Sequence, residues 1–322
     1  MADARKQKER RRKMVHITKA ADAVIESGCA ITIGKFDGIH AGHQALIEAV
    51  KKAAADQGLK TVVFTFAVSP SRYLGKEAEM LMTPGERVEY LESLGIDYLI
   101  EYPFTDEVRQ MEAGSFVKHI LFERLHVKYL AVGYDFRFGY QRQGDCSLLK
   151  KYAESGAFVL DICRKLKYNE REISSSFIRE QIRMGKMEAA EAMLGRPYSF
   201  CGIVEHGKSL GHTIGFPTLN IRPAEQKVLP PNGVYFTTVH INGISYRGVA
   251  NLGIQPTVTS HQLLLEVHVL DFCQMVYDSW VSVDLHKFHR PEQRFAGVGE
   301  LTRQLALDTA ACIRYFEEMR GK

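Results

Sequence analysis

Ile33-Gly34-Lys35-Phe36-Asp37-Gly38-Ile39-His40-Ala41-Gly42-His43 joins a hydrophobic run to a helical one and sets two histidines three residues apart at the junction. The run Cys29 to Ile33 reads as a buried strand, and Ala45 to Ala55 has helical apolar spacing. Glycines 34, 38 and 42 let backbone approach a ligand closely. The helix N-terminus then points at the loop, where its unpaired N–H groups and positive dipole end suit an anion. Two imidazoles on the first turn add donors where charge builds up. The segment reads as a nucleotide site, with two alternatives beside it: a histidine capping the helix, or a pair that binds zinc.

Outward from this junction, strand-like and helix-like segments alternate from Ile31 to about Leu160. The strands are Ile31–Lys35, Thr61–Phe66, Tyr98–Glu101, Tyr129–Gly133 and Phe158–Asp161; the helices fall at 43–56, 84–94, 114–124 and 146–155. Such alternation predicts a parallel sheet covered by helices on both faces, with ligands beyond the carboxyl ends of the strands. Short helices near 175–184 and 186–193 close this half. After Gly195-Arg196-Pro197 the pattern becomes short β-rich runs, at 198–205, 218–221, 233–241, 244–252, 263–270 and 281–288, punctuated by Pro230-Pro231-Asn232-Gly233 and Asn242-Gly243. A small antiparallel barrel is the expectation, with a last helix over 297–319 packed on its outside. The domains are thus a basic tail at 1–14, an α/β domain at 15–195 and a barrel domain at 196–322. The halves show no internal repeat.

The 322 residues allow two cores, and a hydrophobic fraction of 45% with 25% charged is ordinary for a globular chain. The net charge of +4 is local: residues 1 to 13 hold seven Lys or Arg against Asp3 and Glu9, a net +5 that leaves the rest near −1. A basic nucleic-acid face on the folded body is unsupported, while the tail itself suits RNA, an acidic partner or a membrane surface, or is simply a solvated extension. Six cysteines without any Cys-x-x-Cys pair argue against a zinc module and fit buried thiols in a reducing cytoplasm. No apolar run reaches membrane-spanning length, and Met14-Val15-His16-Ile17-Thr18-Lys19 is not a secretory core.

Three further segments carry chemistry. Ile173-Ser174-Ser175-Ser176-Phe177-Ile178-Arg179 places hydroxyls before a helix and an arginine in its first turns, suited to capping and to a charged fork on phosphates. Val132-Gly133-Tyr134-Asp135-Phe136-Arg137-Phe138-Gly139 follows a strand with aromatic faces and a carboxylate, which either stack on a planar heterocycle or plug the loop. Phe200 to Asn220 is a strand, a loop bearing Gly207 and Gly211, and a second strand on which Thr218 and Asn220 share a face. Their neutral oxygens suit magnesium carried in by nucleotide phosphates.

The whole string Gly-x-Phe-Asp-Gly-x-His-x-Gly-His from Gly34 to His43 resembles the adenylyl-transfer signature of the HxGH nucleotidyltransferase superfamily, in the form of bacterial FAD synthetases. The resemblance implies a Rossmann-like α/β nucleotidyltransferase domain that joins ATP to FMN. His40 and His43 would stabilise the α-phosphoryl transition state. Gly34, Phe36, Asp37 and Gly38 would meet the nucleotide, and Ser174, Ser175, Ser176 and Arg179 the triphosphate. Phe66, Asp135, Phe136 and Phe138 would lie at the flavin end.

The second half resembles riboflavin kinase through Gly215-Phe216-Pro217-Thr218-Leu219-Asn220, Pro231-Asn232-Gly233-Val234-Tyr235, Asn251-Leu252-Gly253-Ile254-Gln255-Pro256-Thr257, Glu266 to Phe272, and Arg290-Pro291-Glu292. It implies Glu266 as general base, Gly207, Gly211 and Thr218 at ATP, Thr218 and Asn220 at Mg2+, and Arg290 at the flavin. The two resemblances cover about residues 15 to 320 and imply an enzyme that turns riboflavin into FMN and FMN into FAD. The alternatives are a chain that keeps one activity, or a non-catalytic flavin- or RNA-binding protein. Lys35, Ala67-Val68-Ser69-Pro70, His212 and Asp278 depart from the family patterns.

Overall fold

In the computed structural model the described residues are 13–68, 73, 75, 79–206, 215–256 and 261–320, less the side chains of 255, 256, 261 and 262. The chain divides after Ser174 into two compact units, each built around its own sheet.

The first unit is a six-stranded parallel sheet of β1 (Val15–Ile17), β2 (Cys29–Ile33), β3 (Lys60–Phe66), β4 (Tyr98–Tyr102), β5 (Val127–Gly133) and β6 (Val159–Cys163), in the order β1-β4-β3-β2-β5-β6. Every residue of β2 is buried, as a central strand covered on both faces requires. Strand order reverses between β2 and β5, so the crevice beyond the carboxyl end of β2 is the ligand-binding position of this architecture. The helix after it, α1 (Ala41–Gln57), buries Leu46, Ile47, Val50, Ala53 and Ala54 along one stripe, and stops at left-handed Gly58. Helix α2 (Pro84–Ser93) starts with a complete capping box: Thr83 accepts from Glu86 N while the Glu86 carboxylate accepts from Thr83 N.

The second unit contains a closed antiparallel barrel of β9 (Tyr198–Glu205), β10 (Thr218–Ile221), β11 (Gly233–Ile241), β12 (Ile244–Pro256), β13 (His261–Val269) and β14 (Trp280–Arg290), in the order β10-β13-β12-β11-β14-β9; β7 and β8 are the short hairpin strands Lys167–Tyr168 and Arg171–Glu172 of the first unit. The last helix, Val298–Arg320, packs on the barrel through Cys312, Tyr315 and Phe316 against Val234, Phe236 and Val249.

The expected elements are present, with four differences. Val15–Ile17 pairs with β4 as an edge strand, a role its three residues do not announce. Residues 116–124 are wound as a π-helix, with Leu125 N donating to Ile120 O five residues back. A one-turn helix, Asp106–Gln110, and the hairpin at 167–172 had no sequence signal strong enough to read. The helices Ser175–Arg183 and Met187–Leu194 cluster with the second unit and not with the first, the later of them lying against β9 and β14.

Candidate functional sites

The loop from Gly34 to His40 is held in a costly shape. Phe36 and Ile39 have φ of 48° and 40°, and Ile39 is β-branched and fully buried. Side chains rarely adopt this region, and strain of this kind persists only where surrounding packing enforces it. Asp37 Oδ1 accepts from Leu81 N at 2.9 Å, and Gln44 Nε2 donates to Ile39 O at 2.9 Å, so both ends of the turn are tied.

That turn delivers His40 to the N-cap position of α1 and His43 to its first turn. Their rings stack with centroids 3.8 Å apart and planes 19° from parallel, and Phe36 lies 5.0 Å from His43. Gly42 explains the spacing: a Cβ there would sit 3.2 Å from His40 Cε1 and 3.3 Å from Nδ1, so glycine leaves space for the imidazole. His40 makes no side-chain capping bond, which removes the capping alternative. Among the described residues no group of three His, Cys, Asp or Glu could hold a metal ion, so zinc finds no support either. Burial first, and then the neighbouring His40, push the His43 pKa well below the ordinary histidine value. His43 Nδ1 is inaccessible and has no hydrogen-bond partner among the described residues. A neutral ring with one nitrogen so placed is primed for a ligand, because native interiors rarely leave such atoms unsatisfied.

Other expected residues separate into open and enclosed positions. Phe66 is half-buried, with Phe104 edge-on at 4.9 Å. Phe136 is half-buried and stacks on Phe138 at 5.4 Å. Phe138 itself is in the core against Phe116, so for this ring plugging the loop is the outcome. Asp135 is exposed and ion-paired with Lys165 at 2.8 Å; Lys165 also reaches Glu172, which accepts from the Tyr134 hydroxyl. Sequence reading missed this clasp because Tyr134 and Asp135 lie 30 residues or more from Lys165 and Glu172, with no spacing signal to join the two pairs. Ser175, Ser176 and Arg179 lie on the Ser175–Arg183 helix of the second unit, and Ser174 ends the first.

In the barrel, register places Asn220 of β10 opposite Glu266 of β13, and Glu266 opposite Asn251 of β12. Opposed residues share a face, here the one turned away from fully buried Leu265, Val267, Ala250 and Leu252. Asn220 is 6% exposed, and its Oδ1 has no hydrogen-bond partner among the described residues. Thr218 lies two residues before it on the same face. An inaccessible carbonyl oxygen beside a hydroxyl fits a hard cation, which takes such neutral oxygens as ligands. A cleft of about 450 Å3 opens nearby, lined by Pro217, His268, Asp271, Phe272 and Thr309 among others. Gly207, Gly211 and His212 lie outside the described residues, as do Ser69 and residues 1–12.

Arg290, expected at the flavin, has a partner within the barrel unit. Its Nε and Nη2 donate to the fully buried Asp308 carboxylate, at 3.1 and 2.7 Å, so the guanidinium is already engaged in anchoring the last helix. Asp278, one of the departures from the family patterns, has φ 59°. Aspartate is among the residues that tolerate this left-handed conformation.

A parallel sheet with stacked histidines beyond its switch strand, in one chain with a closed barrel carrying a carboxylate between amides, is the build of a two-unit phosphate-handling protein. The FAD synthetase family model matches residues 22–177, and the riboflavin kinase model matches residues 194–316. The chain belongs to the bifunctional riboflavin kinase/FMN adenylyltransferase family. It is 37% identical to the Haemophilus influenzae protein of that name over 90% of this chain and 94% of that one, and 35% identical to the Bacillus subtilis one over 96% and 99%. A solved structure described as a macrolide-efflux protein from Streptococcus pneumoniae superposes with a TM-score of 0.84 at 29% identity, over 93% of this chain and 99% of that one. Among the described residues no helix is long and apolar enough to cross a membrane. The ATP-dependent families matched here generally use a divalent metal.

Proposed function

We propose that this chain phosphorylates riboflavin to FMN in the barrel unit and adenylylates FMN to FAD at the histidine loop, in the cytoplasm, with Mg2+ as the metal. One kind of observation carries the reading in both units: an inaccessible polar atom without a partner, His43 Nδ1 in the first and Asn220 Oδ1 in the second, each beside the residues its reaction calls for. The six free cysteines fit a reducing compartment.

In the first reaction Glu266 takes the proton from the riboflavin 5′-hydroxyl as that oxygen attacks the γ-phosphorus of ATP and ADP leaves. Thr218 and Asn220 would hold the Mg2+, whose charge offsets that of the phosphates. In the second, an FMN phosphate oxygen attacks the α-phosphorus of a second ATP and pyrophosphate leaves, so no protein nucleophile is needed. His40 and His43 donate to the α-phosphoryl oxygens as charge accumulates, and the N–H groups opening α1 add to the same field. Arg179 pairs with the β and γ phosphates, with Ser174, Ser175 and Ser176 beside it. Gly34 to Gly38 contact the nucleotide through backbone, while Phe66, Phe136 and Asp135 face the flavin. The functional domains are 15–195 and 196–322, the helices at 175–194 serving the first reaction through Arg179.

Purified full-length chain incubated with riboflavin, ATP and Mg2+, with flavins separated over time, tests the reading. FMN followed by FAD is expected. FMN alone would mean a silent first half, FAD from supplied FMN only a silent kinase, and no product a binding protein.

A further inference from the structure

The clasp of Tyr134, Asp135, Lys165 and Glu172 joins the loop after β5 to the hairpin after β6, at the carboxyl edge of the first sheet. The loop starts from a fixed point, because Tyr134 N donates to Cys163 O, at the end of β6, at 3.1 Å. Phe136 N donates to Gly133 O at 3.0 Å and closes a turn over residues 133–136. A Cβ at Gly133 would stand 3.3 Å from Asp135 Oδ1, so glycine leaves this carboxylate room to fold back over the turn.

Lys165 meets the same carboxylate through its other oxygen. Its Nζ lies 2.8 Å from Asp135 Oδ2 and donates to Glu172 Oε2 at 3.1 Å. Glu172 Oε1 in turn accepts from the Tyr134 hydroxyl at 2.9 Å, and Lys165 Nζ sits 5.3 Å from the centroid of the Tyr134 ring. The hairpin brings residues 165 and 172 side by side. Lys167 pairs with Glu172 and Tyr168 with Arg171, around a two-residue turn in which Asn169 and Glu170 take φ of 46° and 64°. Beyond this pairing, Ile173 N donates to Leu166 O at 2.9 Å.

A single ion pair this open to water contributes little. Here one ammonium serves two carboxylates and a ring, and it is less exposed than either carboxylate. Its hydrogen bond to Asp135 pushes its pKa up, so it stays charged. Arg137, the other nearby cation of the loop, pairs with Asp145 at 3.4 Å and does not compete for Asp135.

We propose that Lys165 is a positioning residue for FMN in adenylyl transfer: by holding Asp135 Oδ2 it presents Oδ1 to the flavin, whose pyrimidine edge carries an N–H that a carboxylate oxygen accepts. The inference rests on the reading that Asp135 faces the flavin. Glu172 and Tyr134 fix the lysine, and Gly133 gives the carboxylate its place.

The test is steady-state adenylylation of supplied FMN by the full-length protein with ATP and Mg2+, each substrate varied in turn. Lys165→Met keeps the apolar stem and removes the ammonium. KM for FMN is expected to rise about tenfold, with kcat and KM for ATP within about twofold of wild type, which also verifies that the first unit is folded. Lys165→Arg should restore most of the loss. Asp135→Ala should raise KM for FMN at least as far, and adding Lys165→Met to it should cost little more, because the lysine acts through the carboxylate. With Asp135→Ala impaired, a Lys165→Met variant whose KM for FMN matches wild type overturns the inference alone, as do losses that add in the double variant. A fall in kcat together with a rise in both KM values would make the clasp an element of the fold only, and overturns it as well. A wild-type KM for FMN in Asp135→Ala overturns the placing of Asp135 at the flavin and the inference with it.

Discussion

Two imidazoles whose centroids lie 3.8 Å apart cannot both carry a proton cheaply. At about 4 Å, two unit charges repel by roughly 4 kcal/mol even at an effective dielectric of 20. Burial adds to this at His43, whose pKa is driven well below the ordinary histidine range. At neutral pH His43 is thus a hydrogen-bond donor without a charge of its own, able to follow charge that appears only during transfer. His43→Ala should lower FAD formation from FMN by about a hundredfold or more, the usual loss for a transition-state donor, while FMN formation from riboflavin is spared. Flavin separation after parallel assays measures both. Equal loss of the two activities in folded protein would contradict the separation of the sites. The pair was legible in the sequence from its spacing alone, and Gly42 shows why the spacing needs glycine. The surroundings of Phe138 and Arg290 were not legible, because a motif gives a residue's type and order but not its burial; one packs in the core and the other bonds Asp308.

At the level of elements, what was legible followed from periodicity. The strands β2 to β6 stand out as short apolar runs and the long helices by apolar residues recurring at three to four, whereas β1 is three residues whose pairing with β4 is made by backbone. Register was not legible either: that Asn251 of β12 stands opposite Glu266 of β13 follows from the paired strands and from no spacing in the sequence. The helices at 175–183 and 187–194 have apolar faces of Phe177, Ile178 and Ile182, and of Met187, Ala190 and Met193, but a face does not say which core it serves. The C-terminal helix offers a direct test of how an element is held. Asp308 is fully buried and accepts from Arg290 and from Gln304 Nε2 at 2.9 Å, with His289 Nε2 at 3.3 Å. Asp308→Ala leaves a half-buried guanidinium without its partner and should destabilise the second unit by about 3 kcal/mol, the lower end for a broken buried pair. Urea unfolding followed by Trp280, the single tryptophan, reads it. A change under about 1 kcal/mol would mean that solvent takes over the arginine and that the pair does not anchor the helix.

At the scale of the whole molecule, charge and chemistry are distributed unevenly along the chain. Residues 1–13 carry a net +5 that no step of either reaction uses. Their deletion should leave riboflavin phosphorylation and FMN adenylylation within about twofold of the full-length rates, as expected for a segment of mostly charged side chains without a core to complete. A large fall in either rate would give the tail a part in turnover. The two reactions themselves are joined only through FMN, the product of one and the substrate of the other. Glu266→Gln keeps the shape of the kinase site but removes its base, so its FMN production should fall by roughly two to four orders of magnitude. His43→Ala keeps the kinase and loses the adenylyl transfer. Neither variant alone should convert riboflavin to FAD. An equimolar mixture of the two should do so after a lag in which free FMN accumulates, because FMN released by one protein is substrate for the other, and the lag should shorten as both concentrations rise together. Flavins separated at intervals from riboflavin, ATP and Mg2+ give the readout. A mixture that makes FMN but no FAD, while Glu266→Gln still adenylylates added FMN, would mean that the intermediate does not leave the chain that makes it.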